Sequence, residues 1–118
     1  MNEKSRRIQR VEKEIRETAS TYLMEQQSGS SEDLVALTKV FVSPDLRNAK
    51  IFVCVIGKEV VDEDTLQTLQ SHAPEIQKRI NNRLRMKFCP RVQFYNDDSV
   101  RMMAKIDRIL KEDSGSHE

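Results

Sequence analysis

The stretch His72-Ala73-Pro74-Glu75-Ile76-Gln77-Lys78-Arg79-Ile80-Asn81-Asn82-Arg83-Leu84-Arg85 decides how this chain folds. Pro74 has no backbone N–H and disfavours helical geometry at Ala73, yet its fixed φ suits the first turn of a helix. One helix is therefore expected to stop, and another to start, at the kink His72-Ala73-Pro74. In the second helix Ile76, Ile80 and Leu84 recur at four-residue steps and form one apolar side. At about 100° per residue Lys78 and Arg85 point nearly opposite to it, while Arg79 and Arg83 fall on one flank. From Pro74 to Arg91 the cations Lys78, Arg79, Arg83, Arg85, Lys87 and Arg91 face a single acid, Glu75, although the formal net charge of the chain is only +1. Charge gathered in this way on one helix and the turn after it is the footprint of a module that lies on a polyanion, most often nucleic acid. A solvated basic face is the plainer reading in a chain with 33% charged residues.

Upstream of the kink, Ile8, Val11, Ile15, Ala19, Tyr22 and Leu23 mark the buried stripe of an amphipathic first helix. Its other face is ionic, with Arg10 and Glu14, and Lys13 and Glu17, spaced for pairing. Arg6, Arg7 and Arg10 cluster at the helix start, where the macrodipole disfavours cations unless an anion compensates. After a polar loop, Gln26-Gln27-Ser28-Gly29-Ser30-Ser31, the residues from Leu34 to Val42 read as a strand. Ser43-Pro44-Asp45 is turn chemistry, and Ala49 to Ile56 reads as a second strand. There Ile51, Val53 and Val55 face one way and Phe52, Cys54 and Ile56 the other, which suggests that both faces are largely covered. Gly57 ends the strand. Asp62 or Asp64 can cap the helix whose buried side is Leu66, Leu69 and Ala73.

Downstream of the basic helix, Phe88, Val92 and Phe94 suggest a third strand with Pro90 at its start. Asn96-Asp97-Asp98-Ser99 then supplies a turn and cap before a last helix holding Val100, Met103, Ile106, Ile109 and Leu110. A chain of 118 residues with 37% hydrophobic content is one small domain. We expect a flexible start over 1–5, a folded unit over 6–112 and a disordered tail over 113–118. No run is long and apolar enough for a membrane span, and the start lacks the apolar core of a secretory signal, so a cytoplasmic monomer is expected. Cys54 and Cys89 have no metal-ligand spacing and read as reduced, mostly buried small hydrophobes. No metal, cofactor or small-molecule substrate is indicated.

The order α-β-β-α-α-β-α, with its helix-kink-helix unit and basic second helix, fits an α+β, KH-like (type II) RNA-binding fold. The stretch Val40-Phe41-Val42-Ser43-Pro44-Asp45-Leu46-Arg47-Asn48-Ala49-Lys50-Ile51-Phe52-Val53 resembles the signature of the bacterial ribosome-binding factor A family. That family carries a V-x-V-S-x-D-L-x-x-A-K-V-x-V pattern across its first two strands. Arg6 to Val11 with Ile15, Arg83-Leu84-Arg85 with Pro90, and Phe94 with Asp98-Ser99 extend the resemblance from Arg6 to Leu110. It implies a factor that binds the free immature small ribosomal subunit through its ribosomal RNA, assists maturation of the RNA's 5′ end and leaves before translation. It implies no catalysis, and it adds Arg47 and Lys50 to the expected RNA-binding set of Lys78, Arg79, Arg83, Arg85, Lys87, Arg91, Arg6, Arg7 and Arg10.

Two features depart from the pattern. KH domains clamp RNA with a Gly-x-x-Gly loop, and none of Gly29, Gly57 and Gly115 lies at the helix junction. The family has an Ala-x-Gly kink, and Pro74 stands where that glycine is expected. Its ring and missing donor count against a close backbone approach to phosphate there. The loop after the first helix also lacks the family's Asp-Pro-Arg. For His72 we expect an exposed helix-end position interacting with the last carbonyls. Ser43 and Asp45 read as turn residues with no base nearby, so no enzyme is expected. Most aromatic residues fall in strand or helix-core positions, which favours recognition of shape and phosphate over base stacking. Two alternatives stand beside the assembly factor. One is a ribosome-associated translation or hibernation factor, the other a protein-interaction adaptor using the basic face.

Overall fold

Apolar residues at three- and four-residue steps build the first helix, α1 (Arg6–Gln27), in the computed structural model, which describes residues 5–27, 34–57, 61–87, 89–99, 106 and 108–110. Val11, Ile15, Ala19, Tyr22 and Leu23 are all buried along it. The Ser5 hydroxyl accepts the Ile8 N–H at 3.1 Å, satisfying one of the donors that a helix start leaves open.

Two strands follow, β1 (Val35–Val42) and β2 (Asn48–Val55), paired antiparallel. The turn between them is closed by the Leu46 N–H on the Ser43 carbonyl at 2.9 Å. Asp45 fixes its interior, accepting from the Ser43 hydroxyl at 2.6 Å and the Arg47 N–H at 3.0 Å. Leu46 takes a left-handed φ of 62°, and it still packs partly buried against the core. The register shifts at Thr38, whose hydroxyl engages the Asp97 carboxylate.

Helices α2 (Glu63–Ser71) and α3 (Ala73–Leu84) are separated by His72 alone, and β3 (Arg91–Asn96) then runs parallel to β2. The strand order is β1-β2-β3. Asp62 caps α2 by accepting the Thr65 N–H at 2.8 Å. At the kink His72 keeps φ −86° and ψ −8°, its N–H bonds to the Leu69 carbonyl, and its own carbonyl accepts the Ile76 N–H. Pro74 therefore breaks the hydrogen-bond ladder without throwing the chain far from helical geometry. Ala73 turns inward to the core while Pro74 is exposed.

Helices α1, α2 and α3 cover one face of the sheet: α1 lies against β1 and α3, and α2 and α3 lie against β3. Val40, Val42, Ala49, Ile51, Val53, Val55, Val92 and Phe94 point into that layer with Ile15, Ile76 and Ile80. This is the α+β arrangement expected from the sequence. One expectation fails, because the second face of β2 is not covered. Lys50 is exposed there, and Phe52 and Cys54 are half-buried. Among the described elements, the helices α1 to α3 pack on one side of the sheet only. Cys54 and Cys89 are free thiols, both half-buried and so less enclosed than expected. The loop residues 28–31, Phe88, Val100, Met103 and the tail lie outside the described residues. Within the expected last helix Ile106, Ile109 and Leu110 are helical and exposed.

Candidate nucleic-acid interface

α3 runs antiparallel to α1, and three contacts trace the seam. Tyr22 meets His72 at the start of α3, with its hydroxyl 2.7 Å from Nδ1. The Arg79 guanidinium stacks 4.7 Å over the Tyr22 ring and bonds Glu25 at 3.0 Å, and Arg83 pairs with Glu14. The antiparallel run brings the start of α1 beside the end of α3. There Arg7, Arg10, Arg85 and Lys87 line one concavity of about 240 Å³ floored by Val11, Leu84 and Met86. The last carbonyls of α3 and the first N–H groups of α1 lie at this end, so the helix dipoles oppose and the side-chain charge sets the local field.

The other basic residues fall on either side of this concavity. The Glu12 carboxylate accepts the Val42 N–H at 2.9 Å and holds the start of α1 to the end of β1, next to the hairpin turn. The Arg91 N–H donates to the Arg47 carbonyl at 2.8 Å, which brings the start of β3 to the same turn. Arg7, Arg10, Arg47, Arg85, Lys87 and Arg91 therefore share one pole of the domain, and all are exposed. Acids gather at the other pole. Asn96 accepts the Val61 N–H and Asp97 donates its N–H to the Val53 carbonyl, so Asp62, Glu63, Asp64, Asp97 and Asp98 cluster where α2 begins and β3 ends. Among the described residues, basic and acidic side chains thus gather at opposite ends of a chain whose net charge is only +1.

Arg85 ends α3 in the left-handed region, φ 52° and ψ 41°, with its N–H on the Asn81 carbonyl at 2.7 Å. Glycine is the residue that takes this conformation without steric cost, and here it is an arginine that lines the basic concavity.

Two of the expected RNA-binding residues are also engaged within the fold. Arg79 and Arg83 close the α1–α3 seam against Glu25, Glu75 and Glu14. The hydrogen bond that Arg79 donates to Glu25 raises the Arg79 pKa above its usual value. Glu25 and Glu14 lie far from the basic helix in sequence, so local charge counting, which registered only Glu75, missed them. Lys78 is exposed on the far side of α3, Arg6 is exposed on α1, and Lys50 stands on the open face of the sheet. His72 is half-buried and bonded to Tyr22, not exposed with its ring on helix carbonyls as expected. The kink thus serves as a joint of the core, with Ala73 buried beneath it.

No group of three or more metal-ligating side chains occurs among the described residues, and no described helix is long and apolar enough to cross a membrane. The Asp45 pKa is lowered by the hydrogen bond from Ser43 and then by that from the Arg47 N–H, which is turn chemistry.

A profile of the family described as Ribosome-binding factor A matches residues 7–110. The chain is 37% identical over 107 residues to Ribosome-binding factor A of Bdellovibrio bacteriovorus, covering 91% of this chain and 80% of that one. The crystal structure of ribosome-binding factor A from Thermus thermophilus superposes with a TM-score of 0.62 at 17% identity, covering 75% of this chain and 94% of that one. A Thermus thermophilus ribosome binding factor A homology model, fitted into the cryo-EM map of a 30S complex, gives a TM-score of 0.56 at 19% identity. It covers 73% of this chain and 90% of that one.

Proposed function

This chain belongs to the ribosome-binding factor A family, and on that premise we propose that it binds the free, immature small ribosomal subunit through ribosomal RNA and assists maturation of that RNA's 5′ end in the cytoplasm. The observation that carries the reading is the basic pole, where side chains from α1, the hairpin turn, the end of α3 and the start of β3 converge. Four separate segments contribute to it, so the charge is a product of the fold and not of one basic helix. Arg7, Arg10, Arg47, Arg85, Lys87 and Arg91 engage phosphates, Arg6 and Lys78 extend the field, and Arg79 and Arg83 hold α3 in place. The Thermus thermophilus relative fitted into a 30S complex supports the choice of partner. Pro74 replaces a backbone clamp with a rigid joint, so contact is made by side chains. Ser43 and Asp45 are engaged in the turn, and the reading includes no catalytic step.

The test is a gradient of cell extract, with the native protein followed by blotting, alongside a deletion strain grown in the cold. Escape of misfolded RNA slows as temperature falls, so the deletion should grow worst there and accumulate free small subunits with unprocessed 5′ ends. Wild-type protein should rescue the defect, and Arg7→Gln with Arg10→Gln and Arg85→Gln should not. Association with whole ribosomes alone would point to a hibernation factor, and association that survives ribonuclease to a protein adaptor.

A further inference from the structure

The sheet face away from the helices has a composition that the basic pole does not explain. The register aligns Phe41, Lys50 and Gln93 in one row across the three strands, and Lys39, Phe52 and Tyr95 in the next. Arg91 adds a cation at the start of β3, beside Asn48. The rings of Phe52 and Tyr95 lie 5.6 Å apart with their planes tilted by 31°. The Lys39 ammonium sits 4.8 Å from the Phe52 centroid and that of Lys50 5.6 Å from the Tyr95 centroid. Tyr95 is 36% exposed and Phe41 44%. At the edge of β1 the face deepens into a concavity of about 400 Å³ that also draws in Arg16 and Glu12. The Glu12 carboxylate is bonded to the Val42 N–H, and none of the outward strand positions is acidic.

We propose that this face is a second RNA contact, a platform for unpaired nucleotides separate from the basic pole. Flat aromatic surfaces set among cations match a single strand chemically. Bases stack on Tyr95 and Phe52 as Lys39 and Lys50, which lie over those rings, swing out to neutralise the phosphates. A protein partner with an apolar surface would meet the charges of Lys39 and Lys50 here, and these favour a polyanion. Stacking of this kind tolerates any base, so the platform would gather unpaired RNA without reading its sequence. Tyr22 and Phe94 are buried, whereas Phe41, Phe52 and Tyr95 occupy the outward phase of the strands that the sequence assigns them to.

The inference rests on the reading that the partner is ribosomal RNA, and its test separates the two. The chain contains no tryptophan, so Tyr95→Trp introduces one fluorophore at an exposed site. Titration with an unstructured oligouridylate or oligoadenylate should quench it, with affinity falling as salt rises. Lys39→Gln with Lys50→Gln should weaken binding about tenfold, and Tyr95→Ala, followed by a labelled oligonucleotide, about fivefold or more. Arg7→Gln with Arg10→Gln and Arg85→Gln should leave the quenching intact while lowering association with small subunits. Unchanged emission at saturating oligonucleotide would overturn the proposal. Equal quenching by polyphosphate, which has no bases to stack, would overturn it too. Quenching in a Tyr95→Trp protein that fails to bind small subunits although its basic pole is intact would uphold the platform and reject the assembly-factor reading.

Discussion

The Tyr22 hydroxyl of α1 lies 2.7 Å from Nδ1 of His72, the one residue between α2 and α3, and the two rings meet edge-on at 5.3 Å. This contact fixes the kink to a helix 50 positions away in sequence. It sets the antiparallel run of α3 along α1 and so determines which cations meet at the far end.

Removing that hydroxyl tests the latch. Tyr22→Phe keeps the ring and leaves the half-buried His72 nitrogen without its partner. A loss of about 1 kcal/mol is expected, or a fall in melting temperature of about 4 °C. Thermal melts of the two proteins measure it, and a shift of under about 1 °C would show that water replaces the hydroxyl at no cost.

At Arg85 stability and function should move in opposite directions. Its left-handed backbone costs an arginine about 1 kcal/mol that glycine does not incur, and its side chain is exposed. Arg85→Gly should raise the melting temperature by a few degrees and weaken small-subunit binding several-fold. It should also lower the salt slope of binding by about 0.7 to 0.9. A stabilised protein with unchanged binding would remove Arg85 from the interface.

Arg83 pairs with Glu14 across the seam, so reversing its charge should damage the fold before it affects any RNA contact. Arg83→Glu should destabilise the protein, and adding Glu14→Arg should recover at least half of the loss. The coupling should be small, about 0.5 kcal/mol, because the Arg83 side chain is 58% exposed. Urea denaturation of the four proteins of the cycle gives the number. Strict additivity would mean that the pair contributes nothing.

Asp97 should contribute to the acid sensitivity of the domain. The Ser99 hydroxyl and then the Thr38 hydroxyl lower its pKa from the usual carboxylate value. Because the folded value lies below the unfolded one, its contribution is complete above the unfolded pKa, about 4. As pH falls further the unfolded chain binds the proton more readily, and the contribution is lost through the folded pKa. Melting temperature measured from about pH 6 to pH 2 should fall less steeply in Asp97→Asn than in the wild type. Identical slopes would assign the acid sensitivity to other carboxylates.

Several of these features can be read from the residues alone, because they depend on neighbours within a few positions. The stripe of Val11, Ile15 and Ala19 in α1, the alternation of Ile51, Val53 and Val55 in β2, the Ser43-Pro44-Asp45 turn and the kink at Pro74 all follow from local periodicity and backbone chemistry. The signature across the first two strands led to the right family for the same reason, being a run of adjacent residues. Which cations remain available was not legible. Arg79 and Arg83 look identical in sequence to their exposed neighbours until α1 brings Glu25 and Glu14 to them. The left-handed backbones of Leu46 and Arg85 had no glycine or asparagine to announce them. The alternation of β2 and β3 already put Phe52 and Tyr95 out of phase with Ile51 and Phe94, but only the parallel register set them side by side beneath Lys39 and Lys50. Local chemistry determined the elements, and packing three helices on one side of a three-stranded sheet decided which charges meet, which cancel and which face stays open, because those contacts join residues that the chain itself keeps far apart.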